Sequence, residues 1–123
     1  MITVKIVRDD RRQITGMFMD GHAGYAEEGF DIICAGASTL FYTLANSLER
    51  ICGLDSERIA RIDEDNGDGE VVAEVVIPQG SFHSAEDADR AQVVMETIRT
   101  GFITLASSVN EGGNQYIRIV EEN

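Results

Sequence analysis

The sequence predicts an α+β domain in which one largely antiparallel sheet carries two packed helices. Hydrophobic residues recur at strand and helix periods in the order ββαββαβ. The length of 123 residues suits a single domain, here expected to span 1–123. A composition of 43% hydrophobic and 26% charged residues is typical of globular chains.

Five segments are expected to form strands, because they alternate in polarity or are rich in β-branched residues. Residues 2–8 and 13–20 flank a polar turn and predict a first hairpin. Residues 58–65 and 70–77 flank Asn66-Gly67, a strong hairpin signal, and 115–120 form the last strand.

Two longer segments predict amphipathic helices. The first runs from Asp31, its N-cap or first-turn acid, to a stop at Gly53. Its expected buried stripe is Ile33, Ala37, Leu40, Phe41, Leu44, Leu48 and Ile51. The second opens at Ser84 with Asp87 three residues on, in an approximate capping box, and ends at Gly112-Gly113. Its expected stripe is Ala88, Ala91, Val94, Met95, Ile98, Phe102, Leu105 and Val109.

The charge balance restricts the classes of partner. Ten Lys and Arg against 22 Asp and Glu give a net charge of −12, which repels nucleic acid and anionic membranes and favours basic partners. No apolar run approaches the ~20 residues needed to cross a bilayer, and residues 1–8 do not form a secretory signal. The expected location is therefore the cytoplasm.

One short segment, 21–38, combines the residue types of a thiol protease. His22 ends the second predicted strand, Cys34 lies in the first turn of the following helix, and glycines in between predict a loop with freedom to move. The helix dipole favours a thiolate there, and an imidazole within reach can return the proton to a leaving group. Backbone N–H groups at the same helix end, near Cys34 and Ala35, are expected to hold the oxyanion.

An inert structural role is the alternative for Cys34, since a lone cysteine in an apolar helix is usually core. Its helical position at the edge of the buried stripe suits both interpretations. Cys52 lies about 27 Å further along a continuous helix, too far for a disulfide, and is expected to fill the core or a near-surface position. His83 comes just before a helix cap and is expected to be a structural surface residue. The cysteines and the two histidines, His22 and His83, match no zinc-site spacing, so no metal or cofactor is expected.

The same residues carry a family resemblance. Residues 21–26, Gly-His-Ala-Gly-Tyr-Ala, followed by 29–35, Gly-Phe-Asp-Ile-Ile-Cys-Ala, with Ser38 beyond, resemble the Prp family of ribosomal-processing cysteine proteases. The resemblance covers the whole chain and implies a cytoplasmic homodimer without cofactors. It implies an endopeptidase that removes the N-terminal extension from the precursor of a large-subunit ribosomal protein, the twenty-seventh.

Residue roles follow from the resemblance position by position. It implies that Cys34 is the nucleophile and His22 the base and proton donor, with Asp31 orienting the histidine, capping the helix, or both. Substrate contacts are expected from Gly21, Ala23, Glu27, Glu28, Ala35 and Ser38, and the two glutamates are expected to dock basic residues of the substrate. Gly36 departs from the alanine common in the family, which places the rate and the substrate fit in question rather than the reaction.

Two other functions are consistent with the sequence. A non-catalytic acidic dimer could bind or chaperone a basic ribosomal protein, with an extended peptide added to a sheet edge. A redox-sensing thiol at Cys34 would undergo reversible oxidation without peptide cleavage.

Overall fold

The computed structural model describes residues 1–22, 30–63, 70–110, 113 and 115–123. Within these ranges the predicted order ββαββαβ is confirmed, with one added turn of helix. The elements are β1 (Ile2–Arg8), β2 (Ile14–His22), α1 (Phe30–Cys52), α2 (Ser56–Ile59), β3 (Ala60–Asp63), β4 (Glu70–Val76), α3 (Ala85–Val109) and β5 (Ile117–Glu122).

The five described strands form one sheet in the order β3-β4-β2-β1-β5. The pairs β1–β2, β2–β4 and β3–β4 are antiparallel, and β1–β5 is parallel. The parallel pair arises because α3 carries the chain across the sheet between β4 and β5, which is the connection that parallel strands require. The expected largely antiparallel sheet is confirmed.

Both long helices cover the same face of the sheet. Alternate residues of β2, Met17 and Met19, are buried on that face together with Val4 of β1 and Val75 of β4. Phe41 of α1 and Phe102 of α3 meet with ring centroids 5.4 Å apart. The core is therefore a single layer between the sheet and the two helices, and no described helix covers the opposite face.

The end of α1 confirms one prediction and corrects another. Gly53 has φ +73°, and its N–H donates to the Glu49 carbonyl at 3.1 Å, so the helix stops where expected. Ile51, expected in the buried stripe, is 51% exposed, whereas Cys52 is 1% exposed. After Leu48 the inward-facing position comes four residues on rather than three, which the helical period of 3.6 allows.

Helix α3 begins as predicted and ends early. Ser84 is its N-cap and accepts a hydrogen bond from the Asp87 N–H. The helix stops at Val109, before the expected Gly112-Gly113, because Asn110 leaves the helix and turns its side chain toward β5. The Asn110 amide donates to the Ile117 carbonyl and accepts from the Tyr116 N–H. Gly112 lies outside the described residues.

Several strand boundaries differ from those expected by one or two residues, and the last strand, β5, runs over 117–122 rather than 115–120. Residues 58 and 59, expected in a strand, belong to α2, whose N-cap Asp55 accepts from the Glu57 N–H at 3.0 Å. Strand β2 continues two residues beyond its expected end and includes His22. The predicted Asn66-Gly67 turn lies outside the described residues, although β3 and β4 pair as that hairpin requires.

Candidate functional site

The candidate dyad residues are carried by β2 and α1, and on the sheet α1 packs mainly against β4, the neighbour of β2. His22 is the last residue of β2, and its backbone pairs across the ladder with Glu70 of β4. Cys34 is the fifth residue of α1, which starts at Phe30 and packs on the sheet. The side chain of His22 and residues 23–29 lie outside the described part, and so does the separation between the imidazole and the thiol.

Cys34 occupies the edge position that its spacing predicted. It is half-buried and packs against the hydrophobic core, and it forms no disulfide with Cys52. In a helix the side chain leans over the turn that precedes it. The thiol therefore lies on the side of α1 nearest the N-terminal end of the helix.

The position of Cys34 changes the expected source of oxyanion donors. The first N–H groups of a helix lack intrahelical partners, but the N–H of the fifth residue donates to the first carbonyl. Since α1 begins at Phe30, the N–H groups of Cys34 and Ala35 are used within the helix. The N–H groups without an intrahelical partner belong to the first turn, 30–32, over which the Cys34 side chain leans.

The other expected site residues differ in their burial and in their position along α1. Asp31 is the second residue of α1, so it is a first-turn acid and not the N-cap; its side chain lies outside the described part. Ala35 is exposed beside Cys34, whereas Ser38, one turn further on, is only 7% exposed. Ala23, Glu27 and Glu28 lie outside the described residues.

Gly21 is held against the first residues of the chain. It pairs with Ile2 across the β1–β2 ladder and has φ +154°. A Cβ at this position would lie 2.5 Å from the Met1 carbonyl oxygen and 2.7 Å from the Ile2 Cα. Glycine is therefore required here by close backbone approach, immediately before His22.

Cys52 and His83 have the structural roles expected of them. Cys52 is buried, and burial followed by the nearby Asp87 carboxylate raises the pKa of its thiol above the ordinary value. A raised pKa keeps the thiol protonated and unreactive at neutral pH. His83 is exposed, in the loop just before α3.

The described residues meet neither the requirements of a metal site nor those of a membrane-spanning helix. Among those residues, no three His, Cys, Asp or Glu side chains come together as a metal site would require. None of the described helices has the length and apolarity to span a bilayer.

A cavity of about 690 Å³ lies away from Cys34. It opens between the β1–β2 turn and the start of α3, and its lining includes Asp10, Ile14, Phe82 and Gln92. Ile14 begins β2 and His22 ends it, which separates the cavity from the dyad end of the strand by roughly 27 Å. The cavity is therefore not part of the candidate site.

Sequence reasoning missed two exposed apolar side chains on α1. Ile32 is 75% exposed two residues before Cys34, and Tyr42 is 45% exposed two turns after it. The available signal was the absence of any charged residue from Ile32 through Leu48, in a chain with 26% charged residues.

The sequence is similar to known proteases over most of its length. The model of the family "Cysteine protease Prp" matches residues 1–114. A ribosomal processing cysteine protease Prp of Staphylococcus aureus is 36% identical over 114 residues, covering 90% of this chain and 93% of that protein. A Bacillus subtilis protein of the same name is 34% identical over 67 residues, covering 54% of this chain and 58% of its own length.

The fold is similar to solved structures of the S. aureus enzyme. The essential ribosomal processing protease Prp in complex with a substrate peptide matches with a TM-score of 0.68 and 28% identity, covering 98% of this chain and 99% of that one. The complex with a covalently linked product peptide matches with a TM-score of 0.66 and 29% identity over the same shares. On this agreement of sequence and fold, the chain belongs to the Prp family of cysteine proteases, and its reaction class is thiol-dependent peptide hydrolysis.

Proposed function

We propose that this protein is an endopeptidase that removes the N-terminal extension from the precursor of a large-subunit ribosomal protein, the twenty-seventh. The observation that carries this proposal is the placement of Cys34 on α1, half-buried and leaning toward the open end of the helix. The S. aureus relative, whose name describes ribosomal processing, matches across this whole region and supplies the substrate class.

The reaction proceeds through a covalent intermediate. The Cys34 thiolate attacks the scissile carbonyl, and the oxyanion receives hydrogen bonds from the first-turn N–H groups of α1. His22 protonates the leaving amine as the C–N bond breaks, which leaves a thioester on Cys34. His22 then takes a proton from water, whose oxygen attacks the thioester and releases the acid and the Cys34 thiolate. A solved structure of the S. aureus enzyme holds a covalently linked product peptide, which supports a covalent intermediate.

The remaining site residues are assigned supporting roles. Asp31 is assigned to orient His22, to stabilise the start of the helix, or both; as a first-turn acid it interacts favourably with the helix dipole. Ser38 is only 7% exposed, one turn beyond Cys34, so any contact that it makes with substrate is limited to its small accessible surface, while exposed Ala35 contacts the peptide. Gly21 sets the path of the backbone that leads into His22. Ala23 is assigned a contact with the substrate.

The charge of the chain suits a basic ribosomal protein. A net charge of −12 attracts such a substrate and disfavours competition for its RNA. Glu27 and Glu28 dock basic residues beyond the cleavage point. The compartment in which ribosomal precursors are made, the cytoplasm, is the proposed location.

A homodimer is supported by the helix-free face of the sheet. Phe18 and Val72 are half-buried there and Val76 is 40% exposed, so the face is partly apolar in a single copy. Lys5 stacks over the Phe18 ring at 5.0 Å and covers only part of it. Light scattering should give twice the 13.5 kDa mass of the chain. The chain's own mass would argue against the dimer.

The deciding experiment is cleavage of the host's full-length precursor, read by intact mass. Wild type is expected to make one cut, and Cys34→Ala and His22→Ala none, with all three folded by circular dichroism. Cys52→Ala is the matched control and should cut normally, because Cys52 is buried away from solvent. Tight binding without any cut by wild type would instead indicate a docking protein, and reversible oxidation of Cys34 without a cut would indicate a redox sensor.

A further inference from the structure

The helix-free face of the sheet is nearly balanced in charge, although the chain has ten Lys and Arg against 22 Asp and Glu. Alternation along each strand places on this face the side chains that do not point into the core. Among the described residues, the charged side chains there are the cations Lys5, Arg61 and Arg118 and the acids Asp20, Asp63, Glu74 and Glu122. Two acidic copies repel each other least through such a balanced surface, which also offers little attraction to a basic substrate.

The centre of this face is apolar. Phe18 lies there on β2, the middle strand of the five described, and is half-buried. Its ring lies against Gly16, since a Cβ at Gly16 would come 3.0 Å from the Phe18 Cε2 atom. Val76, the ladder partner of Gly16 on β4, is 40% exposed. An apolar centre with charged side chains around it is the anatomy of a protein interface.

The strand register places opposite charges at matching positions on the two sides of β2. In the row that contains Phe18, Lys5 lies on the neighbouring strand β1 and Glu74 on the other neighbour, β4. In the row two residues along, Arg118 lies two strands away on β5 and Asp63 two strands away on β3. Neighbouring strands are about 4.8 Å apart, so the two members of each pair are equally distant from β2.

A two-fold axis between two sheets packed face to face can run along the strands or across them. An axis along β2 exchanges the two sides of the face. It sets Lys5 opposite the partner's Glu74, and it sets Arg118 opposite the partner's Asp63. An axis across the strands at the Phe18 row would instead set Lys5 opposite the partner's Lys5. The axis along β2 therefore pairs opposite charges, and packed sheets about 10 Å apart bring these long side chains within reach.

We infer that two copies of this chain pack through their helix-free faces about a two-fold axis along β2, with Phe18 of each copy at the centre. The inference deepens the homodimer of the proposed function and rests on it. In this arrangement Glu122 lies one row from the partner's Arg61, and Asp20 lies opposite the partner's Asp20 as an unfavourable contact. The helices form the outer layers, so Cys34 of each copy lies on the far side of the sheet from the interface.

Charge reversal at Lys5 and Glu74 tests the arrangement, with the dimer dissociation constant measured by sedimentation. Lys5→Glu and Glu74→Lys should each weaken the dimer at least tenfold, because each sets like charges opposite one another at two symmetric places. The double variant Lys5→Glu/Glu74→Lys should dimerise as wild type does. The two single variants change the net charge in opposite directions, so general repulsion between copies does not explain a loss in both.

Two contacts outside the Lys5–Glu74 pair provide controls. Lys5 lies 3.9 Å from Glu122 of its own copy, and the double variant does not restore this contact, so recovery reports the contact between copies. Asp89 is exposed on α3, and Asp89→Lys should leave the dissociation constant unchanged. Asp20→Asn should tighten the dimer several-fold by removing the like-charge contact, whereas Asp89→Asn should not. All variants should keep the circular dichroism spectrum of wild type.

The outcomes separate the arrangement from the rest of the proposal. A wild-type dimer that neither single reversal weakens would overturn the axis along β2 and leave the homodimer standing. Weakening by both reversals without recovery in the double variant would also overturn it. A wild type that stays monomeric would overturn the homodimer and the arrangement together. Precursor cleavage is measured separately, so failure of the peptidase is distinguishable from failure of the interface.

Discussion

At the scale of single residues, the two cysteines of α1 differ in burial and therefore in reactivity. Cys34 is half-buried at the edge of the core, and Cys52 is 1% exposed. Burial raises the pKa of the Cys52 thiol, so thiolate forms there only at a more alkaline pH than in an unfolded chain. Iodoacetamide at neutral pH should modify Cys34 and spare Cys52, as read by peptide mass mapping.

Two controls define this labelling experiment. Protein unfolded in urea should label at both cysteines, and folded Cys34→Ala should label at neither. Equal labelling rates for Cys34 and Cys52 in the folded protein would contradict the structure at α1.

Gly21 cannot be replaced by a residue with a Cβ atom without a clash. The nearest atoms to an added Cβ are backbone atoms of Met1 and Ile2, which cannot move aside as a side chain can. Gly21→Ala should lower the free energy of unfolding by about 1–3 kcal/mol. It should also reduce cleavage, because His22 is the next residue. Urea denaturation and precursor cleavage measure the two effects.

Gly80 is the matched control for Gly21. It also has a positive φ, +82°, but nothing lies within 4 Å of its added Cβ. Gly80→Ala should therefore cost only the backbone strain of roughly 1 kcal/mol and leave cleavage unchanged. If Gly21→Ala were as stable as wild type, the close approach of Met1 and Ile2 to Gly21 would not exist in solution.

At the scale of elements, α1 and α3 interlock through two glycines and two leucines. A Cβ at Gly36 would meet both Leu105 methyls at 3.4 Å, and a Cβ at Gly101 would lie 2.7 Å from a Leu40 methyl. Gly36→Ala should raise the free energy of unfolding by up to ~1 kcal/mol, because alanine is the better helix former and the contact is ordinary. Gly101→Ala gains the same helix propensity but must displace Leu40. Its free energy of unfolding should therefore be about 1 kcal/mol lower than that of Gly36→Ala.

A double-mutant cycle isolates that helix contact. Adding Leu40→Ala to Gly101→Ala removes the clash, so the double variant should be more stable than the two single effects predict by addition. Additive effects in urea denaturation would mean that Gly101 and Leu40 do not meet in solution. Gly36→Ala with Leu40→Ala is the matched cycle and should be close to additive, since Gly36 faces Leu105.

At the scale of the whole molecule, the net charge of −12 should govern the encounter with a basic substrate. Raising the salt concentration from about 0.05 M to about 0.5 M shortens the screening length and should lower kcat/KM for the full precursor several-fold. An uncharged short peptide should show little change. A precursor rate that is independent of salt would remove electrostatic attraction from the proposal.

The contribution of Glu27 and Glu28 can be separated from that of the overall charge. The double variant Glu27→Gln/Glu28→Gln should weaken the salt dependence for the precursor and leave the short peptide unaffected. An unchanged kcat/KM together with an unchanged salt dependence would show that these two residues do not dock the substrate.

The sequence predicted those features of the site that depend on residues close together in the chain. The run around His22 and Cys34 carries the family resemblance, and the helical period predicted the half-buried edge position of Cys34. Helix α1 starts at Phe30, so the N–H groups without an intrahelical partner are those of 30–32 and not those of Cys34 and Ala35. The assignment of donors depends on the exact first residue of the helix, which local sequence signals place only to within one or two residues.

The sequence by itself determined the order of the strands and the two long helices, the caps at Gly53 and Ser84, and most of the faces that these elements bury. These features depend on residues within about four positions of one another, as at Gly53, Ser84 and the alternating Met17 and Met19. Only the tertiary structure decided the strand order β3-β4-β2-β1-β5, the parallel pairing of β5 with β1, and the choice of Cys52 over Ile51 at the core. These depend on contacts between segments far apart in the chain, and the periodicity of one segment carries no information about which distant segment it will meet.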